Sequence, residues 1–310
     1  MDDWFERRTF GASDFDPEQL AERKAQLGLT VSVVLPAQNE AATIDGVVRV
    51  CSSLADNLVD ELVVMDADSD DGTAELAVRA GARVHSESAV LAEVGPAQGK
   101  GDALWRSLAV TSGDVVVFVD SDIRNPDARF VWGLLGPLLS DPAIELVKAY
   151  YERPIEAAGV QHATGGGRVT ELMARPLLNL FWPSLAGLIQ PLSGEYAARR
   201  SLLAELPFFT GYGVEIGLLI DTLERRGVDV LAQVDVGERI HTNQPLPALS
   251  RMAFGILQVA ALRLSKEQRL HLTAALPPTY RQFTLGERGA TLEAREVAVF
   301  ERPPMGTLSR

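Results

Sequence analysis

Val115-Val116-Val117-Phe118-Val119-Asp120-Ser121-Asp122 decides how this chain is read. Five consecutive β-branched or aromatic residues specify a strand buried on both faces, and two carboxylates arrive where it runs out. The acidic pair therefore sits at the C-terminal end of a strand, the edge at which open α/β sheets bind ligands. Asp-x-Asp there presents two hard oxygen ligands, suited to Mg²⁺ or Mn²⁺ carrying a diphosphate. Followed by Asn125-Pro126, the same residues also make a capped turn and a helix start, so support must come from the rest of the chain.

Working outward toward the N-terminus, two βα units precede this strand. Residues 30–35 read as a strand, Pro36-Ala37-Gln38-Asn39-Glu40 as the turn after it, and residues 41–54 as a helix with Ile44, Val47, Val48 and Cys51 at helical spacing. A second strand, residues 61–65, ends in the acidic run Asp66-Ala67-Asp68-Ser69-Asp70-Asp71. A helix from about Ala74 and a short strand at 83–85 complete the unit. Polar residues at successive strand ends predict a parallel, nucleotide-binding sheet. Gly95-Pro96-Ala97-Gln98-Gly99-Lys100-Gly101 is a basic loop that can approach a phosphate, yet it lacks the Walker spacing and is not a P-loop. It leads into a helix carrying Leu104, Trp105 and Leu108. Residues 1–28 form an N-terminal arm with a helix from Pro17.

Downstream, a helix at 127–139 and a strand at 144–150 close the first half. Thr164-Gly165-Gly166-Gly167-Arg168-Val169-Thr170-Glu171 then opens a helix whose start can face an anion with backbone N–H groups, the Arg168 fork and the Thr170 hydroxyl. A plain glycine loop is the alternative, but so basic a loop stands out in an acidic chain. Gln190-Pro191-Leu192-Ser193-Gly194-Glu195-Tyr196 is a turn-rich string. Gly211-Tyr212-Gly213-Val214-Glu215 opens a helix to about Arg225, with Glu215 placed where a carboxylate also favours the helix dipole. A strand at 228–236 runs into Gly237-Glu238-Arg239-Ile240-His241-Thr242-Asn243. His241, at a late strand end, either reaches the cation of Asp122 or is a satisfied polar residue. A long apolar helix at 249–264 and a helical segment near 267–275 follow, and the last 30 or so residues read as irregular, with no chemistry assigned.

A formal net charge of −13 excludes nucleic acid as a main partner. A phosphorylated ligand must then be met by a local cluster of cations. No apolar run reaches membrane-spanning length and the N-terminus lacks signal-peptide features, which predicts a cytoplasmic protein with no membrane partner. The single cysteine, Cys51, reads as a buried thiol on a helix.

Val34-Leu35-Pro36-Ala37-Gln38-Asn39-Glu40, Met65-Asp66-Ala67-Asp68-Ser69 and Asp120-Ser121-Asp122 together resemble the GT-A fold of nucleotide-sugar glycosyltransferases. Four longer strings narrow this: Gly99 to Ser107, Ala163 to Leu172, Pro191 to Tyr196 and Gly211 to Asp221 are similar to the actinobacterial glucosyl-3-phosphoglycerate synthase family. The likeness covers about residues 30–245. It implies a Rossmann-like, mixed but mostly parallel α/β sheet flanked by helices, with a C-terminal helical extension. Residues 29–150 would be the nucleotide-sugar-binding half, 151–247 the acceptor-binding half of the same domain, and 248–310 the extension and tail.

The resemblance further implies a homodimer that transfers glucose, with retention, from UDP-glucose to the 2-hydroxyl of 3-phosphoglycerate, using Mg²⁺ or Mn²⁺. Pro36, Ala37, Gln38, Glu40, Asp66, Ala67, Lys100, Asp120, Ser121 and Asp122 would hold the nucleotide sugar, with Glu215 on the transferred sugar. Lys100, Asp122, Leu192 and Glu215 would stand at the reacting centre. Asp122 and His241 would bind the metal, and Gly167, Arg168, Thr170, Tyr212, Arg239 and Asn243 the phosphoglycerate. Retention could follow from front-face attack or from double displacement through Glu215.

The family's second strand end usually reads Asp-Ser-Gly-Ser, whereas here it is Asp66-Ala67-Asp68-Ser69. The added carboxylate of Asp68 suggests a wider choice of base, toward GDP sugars, and mannosyl-3-phosphoglycerate synthase, which uses GDP-mannose, is the alternative. A nucleotidyltransferase should carry a glycine-rich basic loop after the first strand, where Pro36 to Glu40 stand instead. A non-catalytic binding protein would need no acceptor loop at Gly165 to Thr170.

Overall fold

The apolar run at 115–118 has no polar residue to offer water, and it is placed accordingly, inside the main sheet. The computed structural model describes residues 2–157, 160–162, 167–240, 244–286 and 289–308. The strands of that sheet are, in chain order, β1 (Thr9–Gly11), β2 (Val31–Ala37), β3 (Glu61–Asp66), β4 (Arg83–Ser86), β5 (Val115–Phe118), β6 (Leu146–Glu152), β7 (Tyr196–Arg199) and β8 (Leu231–Glu238). They lie in the order β1-β8-β6-β7-β5-β2-β3-β4. Neighbours are parallel except at β7, which runs antiparallel between β5 and β6.

Alternation along β5 divides the core in two. Val115 and Val117 pack in one layer with α1 (Ile44–Ser52) and the helix at Arg129–Ser140, through Ile44, Val48, Leu134 and Leu138. Val116 and Phe118 pack in the other with α2 (Lys100–Val110), α3 (Val214–Arg226) and α4 (Leu246–Lys266), through Leu104, Trp105, Ile216 and Val259. A strand covered on both faces must be apolar at every position, which is why this run has no polar alternation. Among the described residues no helix is long and apolar enough to cross a membrane.

The amino ends of the strands are joined by carboxylates. Glu61 Oε2 accepts from Ser32 Oγ at 2.6 Å and Ser112 N at 2.8 Å, and Oε1 from Ser112 Oγ at 2.8 Å. One side chain thus ties together the starts of β2 and β3 and the turn into β5. The opposite, carboxyl edge is left for the site.

Four readings of the sequence are corrected, the last of them the tail. The arm contributes an edge strand, β1, and a helix at Asp2–Arg8. The string ending at Tyr196 continues into β7, whose alanines are weak strand formers held by pairing on both sides. Residues 267–275 form turns rather than a helix, because Gln268 takes the left-handed conformation, φ 59°, just past the end of α4.

The tail is also ordered. Thr279–Gly286 and Gly289–Glu296 pair as a hairpin, and Glu301–Arg302 pairs antiparallel with Phe208–Phe209. Arg302 then forks onto the fully buried Asp102 of α2, Nε to Oδ1 at 2.9 Å and Nη2 to Oδ2 at 2.8 Å. Trp105 Nε1 donates to the Pro303 carbonyl at 2.8 Å.

Candidate active site

The strand ends on the carboxyl edge converge on one trough. After Phe118 the chain turns through Asp120-Ser121-Asp122, and the Ser121 hydroxyl donates to the Pro36 carbonyl at 2.6 Å, fixing this turn to the end of β2. Asp120 lies between two cations, accepting from Lys100 Nζ at 2.6 Å and from Arg239 Nη2 at 3.0 Å. The same Nη2 reaches Asp122 Oδ1 at 2.5 Å. Lys100 also pairs with Glu215 Oε1 at 3.1 Å, and Arg239 Nε with Glu195 Oε1 at 3.1 Å. Signs alternate along Glu215, Lys100, Asp120, Arg239 and Asp122, which is how so many ionisable groups share a poorly hydrated site.

Local sequence explains these placements. Lys100 is the first residue of α2, presented by the glycine loop, and Glu215 is in the first turn of α3, after Gly211–Gly213. Gly194 is glycine because a Cβ would collide with the Asp120 carboxylate and the Lys100 ammonium. Lys148, buried below this turn, donates to the Ser193 carbonyl at 2.5 Å and so holds Pro191 to Gly194 in place.

The electrostatics follow from burial and neighbours. Burial opposes the charge on Asp120, but Lys100 and Arg239 overrule it and hold the carboxyl far below the usual range. Burial raises Asp122 above its ordinary value, with Arg239 opposing and Asp120 adding to the rise. Burial works against the Lys100 ammonium too, yet Asp120 and Glu215 keep it protonated, well above the usual lysine value. Burial, and next Asp122, push Glu40 up to about 6. Burial brings Lys148 down to about 8.

Two cavities open on this charged line and share Lys100, Asp120, Asp122, Tyr212 and Gln244. The larger, about 410 Å³, runs along the ends of β2, β3 and β4 and is lined by Pro36, Ala37, Gln38, Glu40, Met65, Ala67, Glu87, Ala103 and Ser121. The smaller, about 190 Å³, is lined by Arg153, Gly167, Arg168, Thr170, Leu192, Gly194, Glu215 and Arg239, with Leu249, Met252 and Ile256 of α4 as an apolar wall. Arg168 Nη2 donates to the Gln244 carbonyl at 2.8 Å, and Thr170 is buried where the helix widens into a π-type turn at Thr170–Ala174. Such turns break the regular ladder and recur at binding sites.

Most of the residues expected from the sequence meet here. Pro36, Ala37, Gln38, Glu40, Ala67, Lys100, Asp120, Ser121 and Asp122 line the larger cavity, and Gly167, Arg168, Thr170, Leu192, Tyr212, Arg239 and Glu215 line the smaller. Asp66 is an exception. It is buried and not on the wall, its Oδ2 accepting from Ser69 N at 3.0 Å and its Oδ1 without a partner among the described residues.

Arg239, expected to grip the acceptor, lines the smaller cavity with its guanidinium paired to Asp120, Asp122 and Glu195. Asp68, expected to widen base choice, turns to β4 instead: its Oδ1 accepts from Ser86 Oγ at 2.5 Å. His241, Asn243 and the string Thr164-Gly165-Gly166 lie outside the described residues. Ile240 is docked beside the acidic turn, its N–H donating to Asn125 Oδ1 at 2.7 Å and its carbonyl accepting from Arg124 N at 2.9 Å.

Sequence reasoning missed Arg153, Tyr151 and Glu195. The Tyr151 hydroxyl donates to Glu195 Oε2 at 2.5 Å and accepts from Arg153 Nη2 at 2.8 Å. The only signal was that β6 carries the polar Lys148 and Tyr151 among apolar residues, with Arg153 following its last residue. Glu87, the first residue after β4, was missed as well.

The Glycosyl transferase family 2 description matches residues 32–183. Glucosyl-3-phosphoglycerate synthase of Mycobacterium tuberculosis is 51% identical over 290 residues, covering 91% of this chain and 86% of that protein. A crystal structure of that enzyme with Mn²⁺, UDP-glucose and phosphoglyceric acid superposes with a TM-score of 0.82 at 48% identity, covering 94% of both chains, and another holds Mg²⁺ and UDP. The crystal structure of mannosyl-3-phosphoglycerate synthase from Rubrobacter xylanophilus superposes with a TM-score of 0.92 at 43% identity, covering 99% of this chain and 97% of the other. The chain belongs to the glucosyl-3-phosphoglycerate synthase family of glycosyltransferases.

Proposed function

We infer that the chain is a metal-dependent glucosyltransferase that moves glucose from UDP-glucose to the 2-hydroxyl of 3-phosphoglycerate with retention, forming glucosyl-3-phosphoglycerate. The observation that carries this reading is the pair of cavities sharing Lys100, Asp120 and Asp122, one sized for a nucleotide sugar and one flanked by arginines. A single-substrate site needs no second chamber.

The described residues fit Mg²⁺ or Mn²⁺. Among them no three His, Cys, Asp or Glu side chains form a complete metal cage. A lone carboxylate such as Asp122 is nevertheless what Mg²⁺ ordinarily uses when substrate phosphates complete its shell. Bound there, the cation would draw charge from the diphosphate leaving group.

The protein's own residues do the rest. Lys100, kept protonated, meets the negative charge that grows on the diphosphate as the sugar C1–O bond breaks. Arg168, Thr170 and Arg153 hold the acceptor phosphate and carboxylate, so the hydroxyl is held toward the sugar rather than supplied from solution. Glu215, fixed by Lys100, faces the sugar from the smaller cavity. We place this reaction in the cytoplasm, the compartment that the unpaired, buried Cys51 suits.

The test is release of UDP from UDP-glucose with and without 3-phosphoglycerate. Acceptor-dependent release that stops in excess chelator, and falls by about 100-fold or more in Asp122→Ala with unchanged folding, is the expected result. Undiminished turnover in chelator would refute the metal's part. Transfer of mannose from GDP-mannose is the second reading, favoured by the overlap with the Rubrobacter xylanophilus structure.

A further inference from the structure

Beneath the site lies a buried cation that lines neither cavity. Lys148 stands on β6, between Tyr196 of β7 and Gln233 of β8, and it is 2% exposed. Its Nζ donates to the Ser193 carbonyl at 2.5 Å and lies 4.6 Å from the centre of the Tyr196 ring. The two glutamates that support its charge, Glu215 and Glu195, are themselves paired with Lys100 and Arg239. A lysine is almost never buried without a carboxylate of its own, so the bond to this one carbonyl calls for a reason.

The carbonyl belongs to a turn that touches both halves of the reaction. Leu192, one residue before Ser193, lines the smaller cavity. Gly194, one residue after, packs so closely on Asp120 and Lys100 that a Cβ there would overlap both. The turn is closed by Ser193 N, which donates to the Gln190 carbonyl at 3.1 Å, and its far end is tied to β6 by Ala149 N, which donates to the Glu195 carbonyl at 3.0 Å. Lys148 is the side chain that fastens its middle. It thereby sets the spacing between the acceptor's chamber and the cation that meets the departing diphosphate.

We propose that Lys148 is a positioning residue for the transfer, its ammonium setting the turn from Leu192 to Gly194 through the Ser193 carbonyl, so that the rate follows the proton on Nζ. The proposal rests on the glycosyl transfer argued above. Burial brings this group down to about 8; Glu215 supports its charge, Lys100 opposes it, and Glu195 and Asp120 support it. Tyr196 and Gln233, its neighbours in the sheet, are neutral. Below that pH the ammonium makes a charge-assisted bond, and above it the amine keeps only a neutral one, roughly half as strong. Lys100 stays protonated well above the usual lysine value and does not titrate in this window.

The test uses the full chain with Mg²⁺ and both substrates varied. Lys148→Met keeps the length and apolar bulk but not the cation. It should lower kcat about 100-fold while moving the KM for UDP-glucose and for 3-phosphoglycerate less than about threefold, since a displaced turn spoils alignment and leaves Arg168, Thr170 and the larger cavity in place. Wild-type kcat should fall about tenfold or more from about pH 7 to about pH 9.5, a fall absent from Lys148→Met and from Lys148→Arg, which cannot lose its proton. The chain has four lysines, so NMR of ¹³C-labelled lysine follows each side chain, with Lys148 assigned by its loss in Lys148→Met. A Lys148→Met kcat within about threefold of wild type, or a Lys148 resonance that does not titrate where the rate falls, would overturn the proposal. So would a wild-type rate that is flat over this range, a measurement that needs no variant to fold. A protein that transfers sugar from no donor at any pH would instead overturn the function.

Discussion

Arg168 and Arg239 both line the smaller cavity, but their surroundings assign them different tasks. Arg239 is held by three carboxylates, whereas Arg168 is held through the Gln244 carbonyl, leaving the rest of its fork for a ligand. Arg168→Lys should therefore raise the KM for 3-phosphoglycerate about tenfold or more, because an ammonium cannot reproduce a bidentate grip, with UDP affinity changed less than about twofold. Steady-state kinetics with both substrates varied checks this, and an unchanged acceptor KM would remove Arg168 from the clamp. Pro36, Glu40 and Asp122 were legible in the sequence because a strand's end can be read from where its apolar run stops. Glu87 was not, since Ser86-Glu87-Ser88 looks like any polar turn. Its place on the cavity wall is set by tertiary neighbours, which no local pattern spells out.

At the level of elements, each edge of the sheet carries acids with a different task. Burial tends to raise Glu61, but hydrogen bonds from Ser32 and Ser112 outweigh it and bring the carboxyl from 4.5 down to about 2. A depressed carboxyl stabilises the fold above its unfolded value and loses that contribution as pH falls from about 4.5 toward 2. The stability gap between wild type and Glu61→Gln, measured by urea unfolding, should thus shrink by about 1–2 kcal/mol between pH 6 and pH 3. A gap independent of pH would mean that Glu61 acts through packing alone. On the other face of the sheet, Arg302→Ala would leave the fully buried Asp102 without its fork and should cost about 3 kcal/mol. Since Asp102 lies two residues into the helix that begins at Lys100, the KM for UDP-glucose should rise as well. Equal stability of the two proteins would show the tail to be dispensable. The tail was illegible beforehand because Glu301–Arg302 is a strand only by virtue of Phe208–Phe209 beside it. β7 escaped notice for the same reason, whereas β2, β3 and β5 announce themselves through their own β-branched residues.

For the molecule as a whole, the two cavities with a common wall make ligand binding and folding one equilibrium. UDP at about 100 times its Kd with Mg²⁺ contributes about 2.7 kcal/mol, which for a chain of this size should raise Tm by about 5 °C. UDP with excess chelator should raise it by about 1 °C or less, and equal shifts would count against a cation shared by Asp122 and the diphosphate. The sheet also dictates an order of assembly. β1 lies beside Gln233 to Asp235 of β8, and Gln233 Nε2 donates to Thr9 Oγ1 at 2.9 Å across a separation of 224 residues. On the ribosome, the strand made before every other strand of the sheet therefore has no neighbour until β8 has emerged. It must remain an unpaired edge through most of synthesis and docks late, by a long-range closure that folding theory ranks among the slowest.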